Sequence, residues 1–278
     1  MRRRGTRNEA AGKEIRESGL DRRAKPTDKV RMPPRYRHEL KYIISTFDHA
    51  LIRDRMRQIA TIDRNADDDG TYAVTSLYFD DCQSSAELET LDGVDDRSKY
   101  RVRTYHHEPE PMTVEIKEKL GHAVRKRSFG ITPSEYGKLV RGDGAFLLRR
   151  EEEAAREFYL QLAQRRLRPR VVIDYRREAY VLPYGNIRIT FDRELSAWGN
   201  HRGDMTPDGL AGRLRRGAPA RPALDNETLI LEVKYDDYLP DHVRRALQLG
   251  GRTRVSVSKY LLCLDRQASS NKEGLWTD

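Results

Sequence analysis

The stretch Lys99-Tyr100-Arg101-Val102-Arg103 decides the fold. Side chains two apart on a strand point the same way. Arg101 and Arg103 therefore share one face, and Val102 points to the other. The same alternation recurs along the chain. Glu39 pairs with Lys41, Glu115 with Lys117 and Lys119, and Arg125 with Arg127. Arg177 aligns with Tyr175, Arg188 with Thr190 and Asp192, and Glu232 with Lys234. On a single strand such charges simply face water, the default for a half-buried sheet. Over seven strands the pattern demands more, because helical segments inserted between the strands need an apolar sheet face to pack on. If helices cover the outside, the charges line an interior. The expectation is an α+β fold, a closed eight-stranded antiparallel β-barrel with helices packed outside, which also removes exposed sheet edges.

Local patterns place the elements. Period-two segments predict strands over Tyr36–Ile44, Tyr72–Phe79, Lys99–His106, Met112–Lys119, Ala123–Ile131, Arg170–Leu182, Asn186–Leu195 and Thr228–Tyr235. Gly121-His122 and Pro183-Tyr184-Gly185 sit where hairpin turns fall. Helices are expected over Phe47–Ile62, from Pro133, over Arg149–Arg166, and over Asp241–Leu249 between Pro240 and Gly250-Gly251. Val255–Leu264 reads as an apolar helical segment that packs on the barrel. Residues 199–226, rich in Gly, Pro and Arg, read as a long loop.

The chain has 278 residues and a net charge of +9, unevenly placed. Residues 1–34 hold 11 Lys/Arg against 5 Asp/Glu, leaving only +3 for the rest. The reading is a disordered basic tail over 1–34, with Met32 an alternative start, one domain over 35–266 and a flexible tail over 267–278. The nearly balanced body is no broadly basic nucleic-acid binder. No apolar run is long enough to span a membrane, and no secretory signal opens the chain. Two cysteines, Cys82 and Cys263, give neither a disulfide framework nor a zinc cluster and point to a cytoplasmic protein.

A cationic lumen repels itself when empty, so it calls for an anionic ligand. Arg forks and Lys ammoniums suit phosphate oxygens. The interleaved Glu39, Glu115 and Glu232 suit a hard divalent cation that bridges to those oxygens. Together they are equipment for phosphoryl transfer. No histidine or cysteine spacing suits zinc, and there is no Walker-type loop and no Gly-x-Ser-x-Gly elbow. Asp67-Asp68-Asp69 reads as a solvated turn, since the rest of a calcium loop is missing.

Several motifs, in order, resemble the VTC-domain polyphosphate polymerases of the triphosphate tunnel metalloenzyme (CYTH-like) superfamily. They are Glu39-Leu40-Lys41-Tyr42, Ser76-Leu77-Tyr78-Phe79-Asp80, Lys99 to Arg103, Glu115-Ile116-Lys117, Tyr175 to Tyr180, Ile187 to Asp192, Leu231-Glu232-Val233-Lys234 and Ser258-Lys259-Tyr260. The resemblance implies an eight-stranded tunnel that binds a triphosphate and a growing phosphate chain. It implies catalytic roles for Lys41, Arg101, Arg103, Lys117, Arg188 and Lys259, phosphate binding by Arg125, Arg127, Arg177 and Lys234, and Glu232 as principal ligand of Mn²⁺ or Mg²⁺. Arg37 stands where the wider superfamily opens its Glu-x-Glu-x-Lys motif, which favours the polymerase branch. Ser256 stands where the eukaryotic polymerases carry a further Lys, which leaves chain elongation open.

The implied activity is transfer of the terminal phosphoryl of a nucleoside triphosphate to polyphosphate. The alternatives are a metal-dependent triphosphate hydrolase and a non-catalytic polyphosphate-binding module. With no sensing module or membrane span in the sequence, sensing and translocation would fall to partners, a membrane protein among them.

Overall fold

A computed structural model describes residues 37–108, 110–121, 123–198, 221–248 and 251–265. The basic tail over 1–34, the alternative start at Met32, the tail over 267–278 and the greater part of the 199–226 loop lie outside these residues.

Eight strands form one continuous antiparallel path. In spatial order they are β1 (His38–Ser45), β10 (Thr228–Tyr235), β8 (Ile187–Trp198), β7 (Arg168–Leu182), β3 (Thr71–Asp80), β4 (Arg97–Tyr105), β5 (Met112–Leu120) and β6 (Ala123–Ile131). Two short strands lie off the path: β2 (Thr61–Ile62) pairs with β7, and β9 (Arg221–Pro222) with β8. Thus Ile62 is strand rather than helix end, and part of the expected 199–226 loop is sheet, with Ala223 buried behind it.

Among the described residues the sheet is not closed by hydrogen bonds, so the antiparallel α+β fold is observed and closure of the barrel is not: β1 and β6 stand at opposite ends of the path. The C-terminal segment meets the edge of β1. Tyr42 of β1 bridges to Arg254, and the Val255 amide donates to the Lys41 carbonyl at 2.9 Å. These bonds occupy the middle of the β1 edge. The sheet nonetheless curls far enough for β5 to reach β1, with Lys117 Nζ 3.4 Å from Glu39 Oε2. The expected helix over Val255–Leu264 is likewise split. Residues 255–258 are irregular, and a helix covers only 259–265.

Helices cover the outer face, as the alternation requires. α1 (Thr46–Ile59) starts at a capping box in which the Ser45 hydroxyl accepts from the Asp48 amide. Its Ile52 and Met56 pack with Val243 and Leu247 of α5 (Asp241–Leu247) on Ile189, Leu231 and Val233. α2 (Ser85–Leu91) is a short helix with no forecast in the alternation. α3 (Pro133–Val140) opens with Pro133 behind a second capping box, Thr132 with Glu135. With α4 (Glu153–Gln164) it presents Tyr136, Leu139 and Phe158 to Phe79, Val102, Val114 and Ile116. Val102 is buried in this outer layer, back to back with its two arginine neighbours.

The inner face is apolar at one side and charged at the other. Tyr260, Cys263 and Leu264 of the last helix, α6 (259–265), pack against Val74, Val171, Ile173 and Ile230. Among the described residues no helix is long and apolar enough to cross a membrane.

Candidate functional site

A cavity of about 640 Å³ occupies the charged part of the inner face. Eleven Lys and Arg side chains line it against two carboxylates, Glu39 and Glu232. The surplus is the defining property of the site, since uncompensated buried cations are costly without an anion.

Strand register explains how the charges meet. Glu39 stands opposite Lys234 and Lys41 opposite Glu232, so the β1–β10 pair carries a diagonal pattern of alternating signs. Lys41 Nζ lies 2.8 Å from Glu39 Oε1, Lys234 contacts Glu232, and Lys259 Nζ stands 4.0 Å from Glu232 Oε2. Burial works against the Glu39 carboxylate, but Lys41, Lys117 and Lys234 overcome that and hold it down to about 2. Glu232 is likewise opposed by burial and is held well below the usual carboxylate range by Lys234, Lys259, Lys41 and Arg177. Both therefore stay ionised at any physiological pH.

A second cluster lies beside this pair. Arg177 donates from Nε to Asp192 Oδ1 at 2.6 Å, and Lys259 Nζ stands 2.7 Å from Asp192 Oδ2. A third occupies β4 and β5. Arg101 Nε donates to Glu115 Oε2 at 2.6 Å, Arg103 approaches the same oxygen at 3.6 Å, and Lys126 Nζ takes Oε1 at 2.6 Å. Arg101 also donates to the Tyr78 hydroxyl at 2.6 Å. Burial raises the Tyr78 phenol, but Arg101 and Arg103 outweigh it and bring it below its ordinary range.

Cations continue beyond the carboxylates. Lys99 stands opposite Lys117, and Arg97 opposite Lys119, two like-charged cross-strand pairs. Such pairs are unfavourable in a sheet unless anions offset them; Glu39 offsets Lys117 at 3.4 Å and Asp95 offsets Lys119 at 2.9 Å. Lys99 Nζ has the Ser258 hydroxyl at 3.2 Å. Burial, with Arg97, Lys41, Lys117 and Arg101 around it, lowers its ammonium to about 7.

The expected site residues thus divide. Lys41, Arg101, Arg103, Lys117, Arg177, Glu39, Glu232, Lys234 and Lys259 all line the cavity, and so does Ser256. Arg188 lies on the inner face opposite Lys234 but bonds to the Tyr72 hydroxyl and Asp63, outside the lining. Arg125 and Arg127 share a face, but it is the outer one: Arg127 contacts Glu118 and, on α4, Glu157. Register makes Lys126, opposite Lys117, the inward cation of β6. The alternation correctly paired Arg125 with Arg127 but could not say which side they faced. Glu115 is ringed by Arg101, Arg103 and Lys126, serves them as a counter-charge, and is not among the residues that line the cavity. Lys99, two residues before Arg101, was signalled by the same period.

Among the described residues, no three His, Cys, Asp or Glu gather closely enough to enclose a metal. Glu39 and Glu232 still fit Mn²⁺ or Mg²⁺, which bind through one or two carboxylates and complete their shell with water and phosphate oxygens.

The model of the VTC domain matches residues 36–266. Curated proteins gave no match. Among solved structures, the PH1819 protein of Pyrococcus horikoshii is 14% identical, with a TM-score of 0.40 over 83% of this chain and 99% of its own. A candidate adenylate cyclase of Bacillus halodurans is 9% identical, with a TM-score of 0.44 over 81% of this chain and 94% of its own. The PH1012 protein of P. horikoshii is 13% identical, with a TM-score of 0.41 over 82% and 99%. On the domain match the chain belongs to the VTC-domain family, and membership points to a triphosphate- or polyphosphate-related activity.

Proposed function

We propose that the chain is a metal-dependent polyphosphate polymerase that moves the terminal phosphoryl of a nucleoside triphosphate onto a polyphosphate chain. One observation carries the reading: eleven cations against two carboxylates in one cavity. Glu115, Asp192 and Asp95 pair with some of these cations from outside the lining, and a ligand with many negative charges offsets the rest. The run of cations past the carboxylates, Lys99 with Lys117 and Arg97 with Lys119, favours a chain as acceptor over water.

The chemistry needs no protein nucleophile. A terminal oxygen of the acceptor chain attacks the γ-phosphorus and forms a new P–O bond. The bond from the γ-phosphorus to the bridging oxygen breaks, and its electron pair leaves on the nucleoside diphosphate. Arg101, Arg103, Arg177 and Lys259 hold the donor phosphates and offset charge on the leaving group. Lys99 and Lys117 hold the acceptor end in line. Glu232 and Glu39 would hold a divalent cation, which would supply further charge neutralisation at the triphosphate. Lys41 and Lys234 keep those carboxylates ionised and placed.

Incubation of the purified protein with ATP and Mn²⁺, with products separated by chain length, tests the proposal. A ladder of phosphate chains is expected. Orthophosphate alone would replace the polymerase with a hydrolase, and unchanged ATP would leave a binding module.

A further inference from the structure

The inner face of β4 does not end at Arg103. Tyr105 follows on the same side, opposite Val74 of β3, and the Arg103 guanidinium lies 6.0 Å from the centre of its ring. Tyr72, two residues before Val74, stands opposite Arg177, another lining residue. The Tyr72 ring lies 6.1 Å from Tyr105 and 5.9 Å from His106. Tyr72 is buried, Tyr105 is partly open, and His106 is exposed. Asp67 Oδ1 holds His106 Nδ1 at 2.9 Å and so fixes the ring's orientation. Arg188, outside the lining, donates to the Tyr72 hydroxyl at 2.8 Å and ties this group to the strand floor. Three rings thus stand one strand step past the phosphate-binding cations.

We infer that this cluster is a nucleoside subsite: the base of the triphosphate donor stacks on Tyr105 and His106 while its phosphates run inward over Arg103 and Arg177. The inference rests on the proposed function and adds the orientation of the donor. Bare phosphate has no use for aromatic rings, whereas every base has a face that stacks. The spacing suits the task, because residues two apart on a strand are separated by roughly 7 Å. Phosphates seated on Arg103 therefore leave the sugar and base within reach of Tyr105. The other end of the cavity offers Arg97, Lys119 and Val124, and the Tyr260 ring near it is buried and already lies under Lys99 at 5.3 Å. With the nucleoside at the tyrosine end, the terminal phosphoryl points towards Lys99 and Lys117, where the acceptor is placed. Stacking reads no base edge, so the subsite would accept nucleotides of any base.

The test compares ATP with tripolyphosphate, which has the phosphates and no nucleoside. Both are titrated at fixed salt into the wild type, Tyr105→Leu and His106→Gly. Leucine keeps apolar volume where Tyr105 is partly buried. Glycine suits position 106, whose φ is +56°. Each variant should weaken ATP roughly fivefold to a hundredfold, the usual range for losing one base stack, and leave tripolyphosphate unchanged. Tyr105→Phe should retain wild-type ATP affinity. Unchanged ATP binding in both variants, or an equal loss for both ligands, would overturn the subsite while the polyphosphate reading stands. A wild type that binds neither ligand sinks that reading and the subsite with it.

Discussion

Lys259 Nζ lies 2.7 Å from Asp192 Oδ2, on a carboxylate that Arg177 also grips through Nε at 2.6 Å and a terminal nitrogen at 2.8 Å. Asp192 is fully buried, so two cations from different elements depend on one anion that water does not reach. Burial lowers the Lys259 ammonium, yet Asp192 and Glu232 more than reverse this and raise it above its ordinary range. Asp192 thus fixes α6 to the sheet and aims its lysine into the cavity.

Replacing Asp192 by Asn should therefore destabilise the protein by about 3–5 kcal/mol, the usual cost of removing one partner from a buried ion pair. Urea unfolding measures it. Saturating tripolyphosphate should restore part of the loss, because the ligand supplies the missing negative charge. A change below about 1 kcal/mol, typical of exposed pairs, would show that the cluster is open to solvent.

Arg101 and Arg103 bind the ligand in the proposed reading but also hold Glu115. Replacing both by Ala should lower triphosphate affinity by about two to four powers of ten, from two charge-assisted hydrogen bonds of roughly 1.5–3 kcal/mol each. The same change leaves the buried Glu115 with Lys126 alone. Stability should therefore fall as well. Adding Glu115→Gln removes the orphaned charge, so it should recover stability and not affinity. Titration and thermal melting on the double and triple variants separate the two roles. Wild-type affinity in the double variant would remove these arginines from the site.

Much of this was legible in period-two patterns, because a strand fixes which residues share a side. Arg101 with Arg103, Glu39 with Lys41 and Glu232 with Lys234 needed only that rule. Which side they share is a property of packing. Arg125 and Arg127 alternate as well as any pair, yet Phe129 and Ile131 join the outer core and carry the arginines out with them. The contact at the β1 edge was illegible for a related reason. Arg254 and Val255 engage β1 through backbone atoms that every residue has, and no side-chain pattern announces that contact. Asp192 was seen as an aligned residue only. Its importance comes from Arg177 and Lys259, the latter 67 residues away in sequence and brought close by α6.

Glu232→Gln should abolish metal-dependent turnover while triphosphate binding largely survives. The glutamine keeps the shape of the side chain but loses the charge that Glu232 contributes beside Glu39. Losing it also relieves Glu39 of its like-charged neighbour, so Glu39 should remain ionised. Turnover assayed against Mn²⁺ concentration checks this, beside a tripolyphosphate titration without metal. Unchanged turnover would take Glu232 out of the metal site.

Lys99 gives the site a pH signature. Burial and the surrounding cations hold its ammonium at about 7, against 10.5 for a free lysine. Between those values the unfolded chain binds a proton that the folded chain does not. This group's contribution therefore makes stability rise with pH across that window. A bound polyanion reverses the setting, because negative charge beside Lys99 favours its charged form. At about pH 8 the free amine is mostly neutral, so binding of tripolyphosphate should draw in close to one proton. Calorimetry in two buffers of different ionisation enthalpy reads that uptake from the difference in apparent binding heat. In Lys99→Met the uptake should vanish, and the affinity gained by lowering the pH from about 8 to 6 should shrink. Equal apparent heats in both buffers for the wild type would show that Lys99 keeps its proton in the empty cavity, or that the ligand does not reach it.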